Sequence, residues 1–532
     1  MICSEDNAIK ERYNLALDLF HKGSYDEAQI ILAELVLENQ VWLRPLLLQA
    51  YIFRAMKCPV QEMQSLQKLL ARGQALINPG KGDNDMLAEA WSLLGEAFVK
   101  LGECRLAVEA FLQSSALECD LRKKREEYSN GIFSANYCED VSDGEWQELY
   151  RGYRQLLKDI VPQKLSLPHR HDKIRVGYLS GDVRSHPVAE FLRPLLEYHN
   201  SEKFLTYLYQ VNACGDNITQ VLQKWADCVR IVSDMTDREI AEKIVADEID
   251  VLIDLSGHTK GNRLPVLAYH PAPVILSGIG YFNSLGMEID GFLSDVHCSP
   301  SAEHPSFSEK LLRLPHTHFC YSPFQPFPEV AKKMAWEKNG YITFGCFNNF
   351  SKVNDEQLKI WDRIMRQCPQ SHLLLKHQLF DSAEGRAWTI ERMKRLGLSA
   401  DRVEMRGFSA DYLSEYYDVD IALDTFPYTG GVTTLEALFM GVPVVSRYGS
   451  RHGTRFGLSF LRNAGISELA AGDVEGYVQR AAGLAFDKEL LVLLHRNLRG
   501  MLQLSPLMDG RRYCHEMEEL YTCLHHHAIT KP

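Results

Sequence analysis

Long apolar runs are missing from this chain. None approaches the ~18–20 residues of a membrane span, so no transmembrane helix is expected. The opening residues, MICSEDNAIKERYN, lack the basic and apolar blocks of a secretory leader, and none is expected there. Paired cysteines are missing too. The 13 cysteines are odd in number and scattered, with no CxxC. That argues against a disulfide framework or a structural zinc site, and for a reduced, cytoplasmic setting. Positive charge is in deficit: 58 Lys+Arg against 70 Asp+Glu leave a net charge of −12. Nucleic acid and anionic lipid are therefore not expected as general partners, although a local basic pocket is compatible with this balance. What is present is ordinary globular composition, 45% hydrophobic and 24% charged, which excludes wholesale disorder, collagen and a coiled-coil rod. The 532 residues suffice for roughly three domains. The triplet His525–His527 is read as a solvated tail ahead of a metal-binding tract.

Residues 1–135 read as helix after helix. Ala16, Gly23, Tyr25, Ala28 and Leu32 form one pattern, and Trp91, Leu94, Gly95, Phe98, Gly102, Ala107, Phe111 and Ala116 a second, fuller one. This is the tetratricopeptide pattern, in which small residues sit where two antiparallel helices cross and bulky ones fill the gaps. About three helical pairs are expected, with Gln74–Asp85 looping between them. The pattern establishes architecture; holding a partner or acceptor protein is the functional reading, and a plain helical domain the alternative.

Residues 136–171 read as a helical linker that ends in polar sequence. The period then changes. Short β-branched runs at 173–180, 204–211, 251–257 and 273–280 alternate with helical stretches, and a second series follows at 341–347, 372–377, 402–408, 420–426 and 443–449. That alternation predicts two parallel α/β halves, 172–335 and 336–532, with ligands at the carboxyl ends of the strands. The end of the chain, CHEMEELYTCL, is amphipathic and suited to packing back on the first half.

The segment Asp424-Thr-Phe-Pro-Tyr-Thr-Gly-Gly-Val-Thr-Thr-Leu-Glu-Ala-Leu438 carries the most chemistry. A strand ends at Asp424, a turn with Gly430 and Gly431 follows, and a helix begins near Val432. Free N–H groups and the helix dipole suit its start to a diphosphate. Gly430 and Gly431 would let the backbone approach closely. Thr433 and Thr434 lie in the first turn, and Glu436 could accept from a ribose diol. Ordinary capping by the threonines is the alternative.

This segment closely resembles the donor site of glycosyltransferase family 41, the family of the O-GlcNAc transferases, SPINDLY-like O-fucosyltransferases and bacterial protein glucosyltransferases. Ile174–Asp182 with His186-Pro187, Asp254–Gly261, Pro271–Pro273 and Phe347–Lys352 resemble further family segments in the same order. The resemblance runs from about 173 to 520, and the helical repeats match the family's layout. It implies a GT-B fold of two Rossmann-like domains behind the tetratricopeptide-like helices. It also implies metal-independent, inverting transfer of a sugar from a nucleotide sugar to a protein, with no cofactor beyond that co-substrate.

By the same resemblance Lys352 meets the donor diphosphate, Thr433 and Thr434 hold it, and Asn349 adds a donor contact. Lys352 and His186 are the catalytic candidates, the lysine as stabiliser of the leaving group and the histidine as general base. A surface lysine and a helix-capping histidine are the alternatives. His258, Lys376, Tyr412, His452 and Arg455 are possible cleft residues. Three departures touch the sugar and acceptor side. Gly431 stands where the O-GlcNAc branch has histidine. The stretch Gly278 to Gly286 replaces a Trp and GYPxTTG, and HPVAE ends at Glu190 without the second histidine of HPxxH. A UDP-sugar, with GlcNAc or glucose, and Ser/Thr acceptors are expected ahead of GDP-fucose or Asn-linked glucose. A non-catalytic repeat scaffold and a sugar-nucleotide epimerase are the rivals of other classes.

Overall fold

The computed structural model describes residues 2–75, 80–165, 169 and 171–530. The chain divides into two compact units. One comprises Met1–Cys138, Asn349–Leu358 and Leu375–Phe408; the other comprises Glu139–Asn348, Lys359–Leu374 and Ser409–Pro532.

The first unit is built on antiparallel helices: Ile2–His21 with Tyr25–Glu38, Arg44–Ala55 with Pro59–Gln74, and Lys81–Leu101 with Cys104–Leu117, followed by Leu121–Ala135. The small residues do what the repeat pattern requires. A Cβ on Gly95 would meet the Phe111 ring at 2.8 Å, so only glycine lets those two helices cross this closely. Ala16, Ala28 and Leu32 are fully buried. The expected loop Gln74–Asp85 is corrected: helix occupies Gln74 and resumes at Lys81, and the Gly80 N–H donates to Asp83 Oδ2 at 3.0 Å at the start of the following helix. Residues 76–79 of that stretch lie outside the described residues. So do 166–168 and 170 of the expected linker.

The second unit opens with helix Asp143–Leu157, started by a Ser142–Glu145 capping box. Its Trp146, Tyr150 and Tyr153 are fully buried, so this stretch of the linker is a packed element. Seven strands follow: β1 (Ile174–Ser180), β2 (Phe204–Gln210), β3 (Cys228–Ile231), β4 (Val251–Asp254), β5 (Val274–Ser277), β6 (Gly291–Asp295) and β7 (Leu311–Leu314). They pair in the order β3-β2-β1-β4-β5-β6-β7, every neighbour parallel. The second sheet has β8 (Thr343–Cys346), β9 (His372–Lys376), β10 (Val403–Arg406), β11 (Ile421–Leu423), β12 (Val444–Arg447) and β13 (Ala470–Ala471). Its order is β10-β9-β8-β11-β12-β13. The fold is thus the expected helical region followed by two Rossmann-like sheets.

The strands that sequence reading located are mostly the long or fully buried ones. β4, β5 and β6 are buried at every position, which gives a parallel strand its unbroken apolar run. β6 nevertheless escaped because it begins on a glycine and ends in Ser-Asp. β3 and β7, four residues each, and β13, two residues long, were not located either. The end of the chain packs as expected. In helix Gly510–Thr530, Tyr521 lies 3.4 Å from the Tyr178 hydroxyl and Tyr513 donates to the His318 carbonyl at 2.9 Å. The solvated-tail reading of His525 is corrected, since its Nε2 sits 3.4 Å from buried Asp250; His526 and His527 are exposed. Among the described residues no helix is long and apolar enough to cross a membrane.

Candidate active site

Both sheets reverse their winding beside their first strand, between β1 and β4 and between β8 and β11. Ligands of doubly wound sheets bind at the carboxyl ends of the strands flanking such a reversal. The quoted motifs occupy those segments. Gly181–His186 leaves β1, Leu255–Gly261 leaves β4, Phe347–Lys352 leaves β8, and Asp424–Gly431 leaves β11.

The turn after β11 is organised by Asp424, which is buried. Its Oδ1 accepts from the Gly430 N–H at 2.7 Å, the Thr425 N–H at 2.9 Å and Asn348 Nδ2 at 3.2 Å. Its Oδ2 accepts from the Ser446 hydroxyl at 2.6 Å. Asn348 also donates to Thr425 Oγ1 at 3.1 Å and accepts from the Thr433 hydroxyl. One carboxylate and one amide therefore close the turn and deliver the chain into helix Val432–Phe439. That helix starts with no side chain capping it. Its first residues, Val432 and Thr433, are half-exposed while Thr434 is buried. The capping alternative for the threonines is thus not what the structure has, and the helix start keeps the polarity that suits an anion.

One turn into the helix, Glu436 is buried and accepts from the Tyr412 hydroxyl, which in turn accepts from Gln325 Nε2 at 3.0 Å. Burial pushes Glu436 up to about 7, opposed by the Tyr412 hydrogen bond. Glu190, from the helix Pro187–Glu197 after β1, faces the same place. Burial, and then repulsion from Glu436, push it up to about 8, and its Oε2 is buried without a hydrogen-bond partner. Two buried carboxyls, on helices that follow strands of the two sheets, thus repel one another.

His186 caps helix Pro187–Glu197: its Nδ1 accepts from the Val188 N–H at 3.3 Å. Asp182 Oδ2 stands 3.6 Å from the same nitrogen, beyond good hydrogen-bond range. Burial holds the ring's pKa below its ordinary value. A neutral ring whose Nδ1 accepts carries its proton on Nε2, so here it donates through Nε2. Acting as a base requires the other tautomer, with Nδ1–H turned to Asp182.

Asn349, Lys352 and Lys376 belong to the first unit. Asn349 Oδ1 caps the short turn Phe350–Lys352, accepting from the Ser351 N–H at 3.1 Å and hydroxyl at 3.0 Å. Lys352 is half-buried at the end of that turn. Lys376 is buried, and its Nζ donates to the Gly407 carbonyl at 2.8 Å, a structural bond.

Three expected cleft residues are corrected. His258 is fully buried, donates from Nε2 to the Leu285 carbonyl 3.0 Å away, and packs edge-on against Tyr153 and Tyr281. Burial takes it down to about 4, so it is a neutral core histidine. His452 is buried among Phe292, Phe307 and Phe456. Arg455 spends its guanidinium on two carbonyls, His297 at 2.9 Å and Gly449 at 2.7 Å. Sequence reasoning missed Asn348 and the organising role of Asp424, although both lie inside quoted segments. Glu190 was noted only as a departure from the family pattern.

The model of glycosyltransferase family 41 matches residues 156–341 and 338–517. The chain belongs to this family. It is 32% identical over 405 residues to the probable UDP-N-acetylglucosamine–peptide N-acetylglucosaminyltransferase SPINDLY of Solanum lycopersicum, covering 74% of this chain and 43% of that protein. To the SPINDLY protein of Arabidopsis thaliana it is 33% identical, covering 74% and 44%. The chain thus spans less than half the length of these curated relatives. Among solved structures it is similar to a mutant of the Thermobaculum terrenum O-GlcNAc transferase, with a TM-score of 0.83 and 27% identity over 98% of both chains.

The two glycines of this family 41 turn are not equivalent. A Cβ on Gly430 would meet Thr434 Oγ1 at 2.3 Å, Asn348 Oδ1 at 3.0 Å and Asp424 Oδ1 at 3.1 Å, whereas a Cβ on Gly431 would meet nothing within 4 Å. Gly430 is thus confined by the turn itself, while the space over Gly431 is open. Gly430→Ala is expected to cost about 1–3 kcal/mol through overpacking. Gly431→Ala is expected to cost less than about 1 kcal/mol, the difference between glycine and alanine at an N-cap. Thermal unfolding of the two variants checks this.

The paired carboxyls set a pH dependence. Both are raised above the ordinary carboxylate value, so the folded chain holds protons that the unfolded chain has released. Their effect on stability is therefore worst at high pH: stability falls as pH rises from about 4.5 through about 8. Glu190→Gln removes one of these protons from the balance. The variant is expected to be more stable than the parent at pH 8.5, by on the order of 1 kcal/mol, and no more stable at pH 5. Parallel melting profiles across this range would contradict it.

Proposed function

We propose that this chain is a protein glycosyltransferase, transferring GlcNAc or glucose from a UDP-sugar to Ser/Thr hydroxyls of a protein by a metal-independent, inverting displacement. The observation that carries the reading is the turn after β11: a carboxylate-locked loop delivers an uncapped helix start at the sheet's winding reversal, with the buried Glu436–Tyr412 pair one turn behind it. The names of the relatives, probable UDP-N-acetylglucosamine–peptide N-acetylglucosaminyltransferases, favour the UDP-sugar and a peptide acceptor. The tetratricopeptide-like helices are suited to holding that acceptor. The free thiols from Cys58 to Cys523 fit a reducing, cytoplasmic compartment.

In this reading the helix start with Thr433 and Thr434 receives the diphosphate, and Glu436 with Tyr412 receives the ribose. The acceptor oxygen attacks the anomeric carbon while the bond to the diphosphate breaks; the departing phosphate oxygen takes the electron pair, and the hydroxyl's proton passes to solvent water. Lys352 stabilises the charge that develops on the diphosphate, as the family resemblance implies. His186, with its proton on Nε2, serves as a hydrogen-bond donor at the reacting groups.

The test is incubation of the purified chain with UDP- and GDP-sugars and cell lysate, followed by intact and peptide mass spectrometry. An N-acetylhexosamine or hexose increment from the UDP-sugar on Ser/Thr peptides, absent with Lys352→Ala, supports the reading. A deoxyhexose increment from GDP-fucose alone, or an increment on Asn, overturns its substrate part. No increment together with no calorimetric binding of UDP or GDP overturns the enzyme reading in favour of a scaffold.

A further inference from the structure

Behind the turn after β11, whose Thr429 hydroxyl donates to the Gly453 carbonyl at 3.1 Å, three chemistry-bearing side chains meet inside the protein. Cys298 follows β6, His318 follows β7, and His452 lies in the short turn His452–Arg455 after β12. All three are buried, none more than 2% exposed. Their candidate ligand atoms lie within 4.8 Å of one another.

The two imidazoles are oriented by partners on their other nitrogen. His318 Nδ1 is 2.6 Å from the Asp295 carboxylate, and His452 Nδ1 is 3.4 Å from the Phe282 carbonyl. Each of those oxygens can only accept, so each ring carries its proton on Nδ1 and, when neutral, a bare lone pair on Nε2. Both Nε2 atoms are buried and have no hydrogen-bond partner. An orphaned buried polar atom is rare in a folded protein and calls for a physical reason. Two of them, converging beside a thiol, have one reason in common. Histidine ligands of metal ions characteristically donate their second nitrogen to a carboxylate or a backbone carbonyl. That is the arrangement here, on both rings. The surrounding Phe282, Phe292, Phe307, Phe319 and Phe456 make the place apolar, so no bulk water competes.

We propose that Cys298, His318 and His452 form a zinc site. One thiolate and two imidazoles suit a borderline-soft ion, and a modest inward movement of the three side chains brings sulfur to about 2.3 Å and nitrogen to about 2.0 Å from it. Binding releases the Cys298 proton and leaves both imidazoles neutral. Cys298 and His318 come from the first Rossmann-like half and His452 from the second, so the ion fastens one half to the other. No local motif discloses the site, because its ligands are 20 and 134 residues apart.

The test uses the untagged full-length chain, dialysed free of loose metal. Zinc analysis is expected to return one ion per chain, and cobalt replacing it is expected to give the near-ultraviolet charge-transfer band of a cobalt–thiolate bond. That band separates this site from the cluster of His169, His171 and Asp250, which offers no sulfur. Cys298→Ala and His452→Phe should each abolish the band with the circular dichroism of a folded protein retained, while Cys119→Ser, at an exposed thiol, should keep it. If Cys298→Ala does not fold, His452→Phe alone decides. A folded parent that carries no zinc and gives no cobalt band overturns the proposal, as does a band that survives His452→Phe.

Discussion

Lys352→Ala is expected to lower turnover about 10²–10³-fold, the scale on which removing one preorganised charge at a transition state acts, while leaving the fold in place. The two halves of this expectation rest on different facts. The chemical half rests on the proposed donor: its diphosphate would gain charge as it departs, so an ammonium beside it would contribute more in the transition state than in the ground state. Turnover should therefore fall more than the affinity for UDP. The structural half rests on how the turn Phe350–Lys352 is held. Asn349 caps it, and Phe350 packs edge-on against Phe380 with ring centroids 5.0 Å apart. From the helical repeats, Cys104 donates to the Ser351 carbonyl at 3.3 Å. None of these contacts uses the lysine side chain. A single-turnover rate, UDP affinity and melting temperature measured on one preparation test both halves. Activity within about 3-fold of the parent would remove Lys352 from the mechanism, and a collapsed melting temperature would make it a structural residue.

The same turn shows what a sequence can and cannot disclose. Cys104 and Ser351 are separated by 247 positions, yet they meet inside one unit; no local pattern encodes that the repeats help hold the segment leaving β8. What was legible had a period or a motif. The repeats showed through small residues at crossings, as at Gly95. The buried strands showed through unbroken apolar runs, and the donor segment through a glycine turn between a strand and a helix. What was not legible depended on burial. Histidine and arginine look alike on paper whether they line a cleft or serve the fold; His258 and His452 fill the core, and half-buried Arg455 ties down two carbonyls. Asn348 and Asn349 are adjacent and chemically identical, but only Asn348 points to Asp424; the choice between them lies in the direction of the chain after β8. Glu190 was legible only as a departure, because the second carboxyl that raises its pKa comes from the other sheet.

Asp424→Asn is expected to be the most damaging single-atom change in the donor turn. The carboxylate accepts from three N–H groups on one oxygen and from a hydroxyl on the other. An amide keeps one acceptor and turns the second oxygen into a donor. With the NH₂ at the Oδ1 position it opposes Gly430, Thr425 and Asn348 together; with the NH₂ at the Oδ2 position it opposes only Ser446, whose hydroxyl can rotate to accept. The second orientation is therefore the one adopted, and it still loses the charge on a centre that binds four donors. Hydrogen bonds to a charged group are worth roughly twice neutral ones, and weakening several at once in the interior should cost about 2–4 kcal/mol. The Gly430 N–H is the group that matters for function, because its bond to Asp424 fixes where the helix Val432–Phe439 begins. UDP affinity should consequently fall together with stability, unlike the Lys352 variant, in which chemistry suffers first. Ser446→Ala, which removes a single donor, should lower the melting temperature less and leave UDP affinity nearly unchanged. Calorimetric titration with UDP beside thermal unfolding of both variants decides the matter: an Asp424→Asn chain that melts and binds UDP like the parent would show that the turn does not depend on this carboxylate.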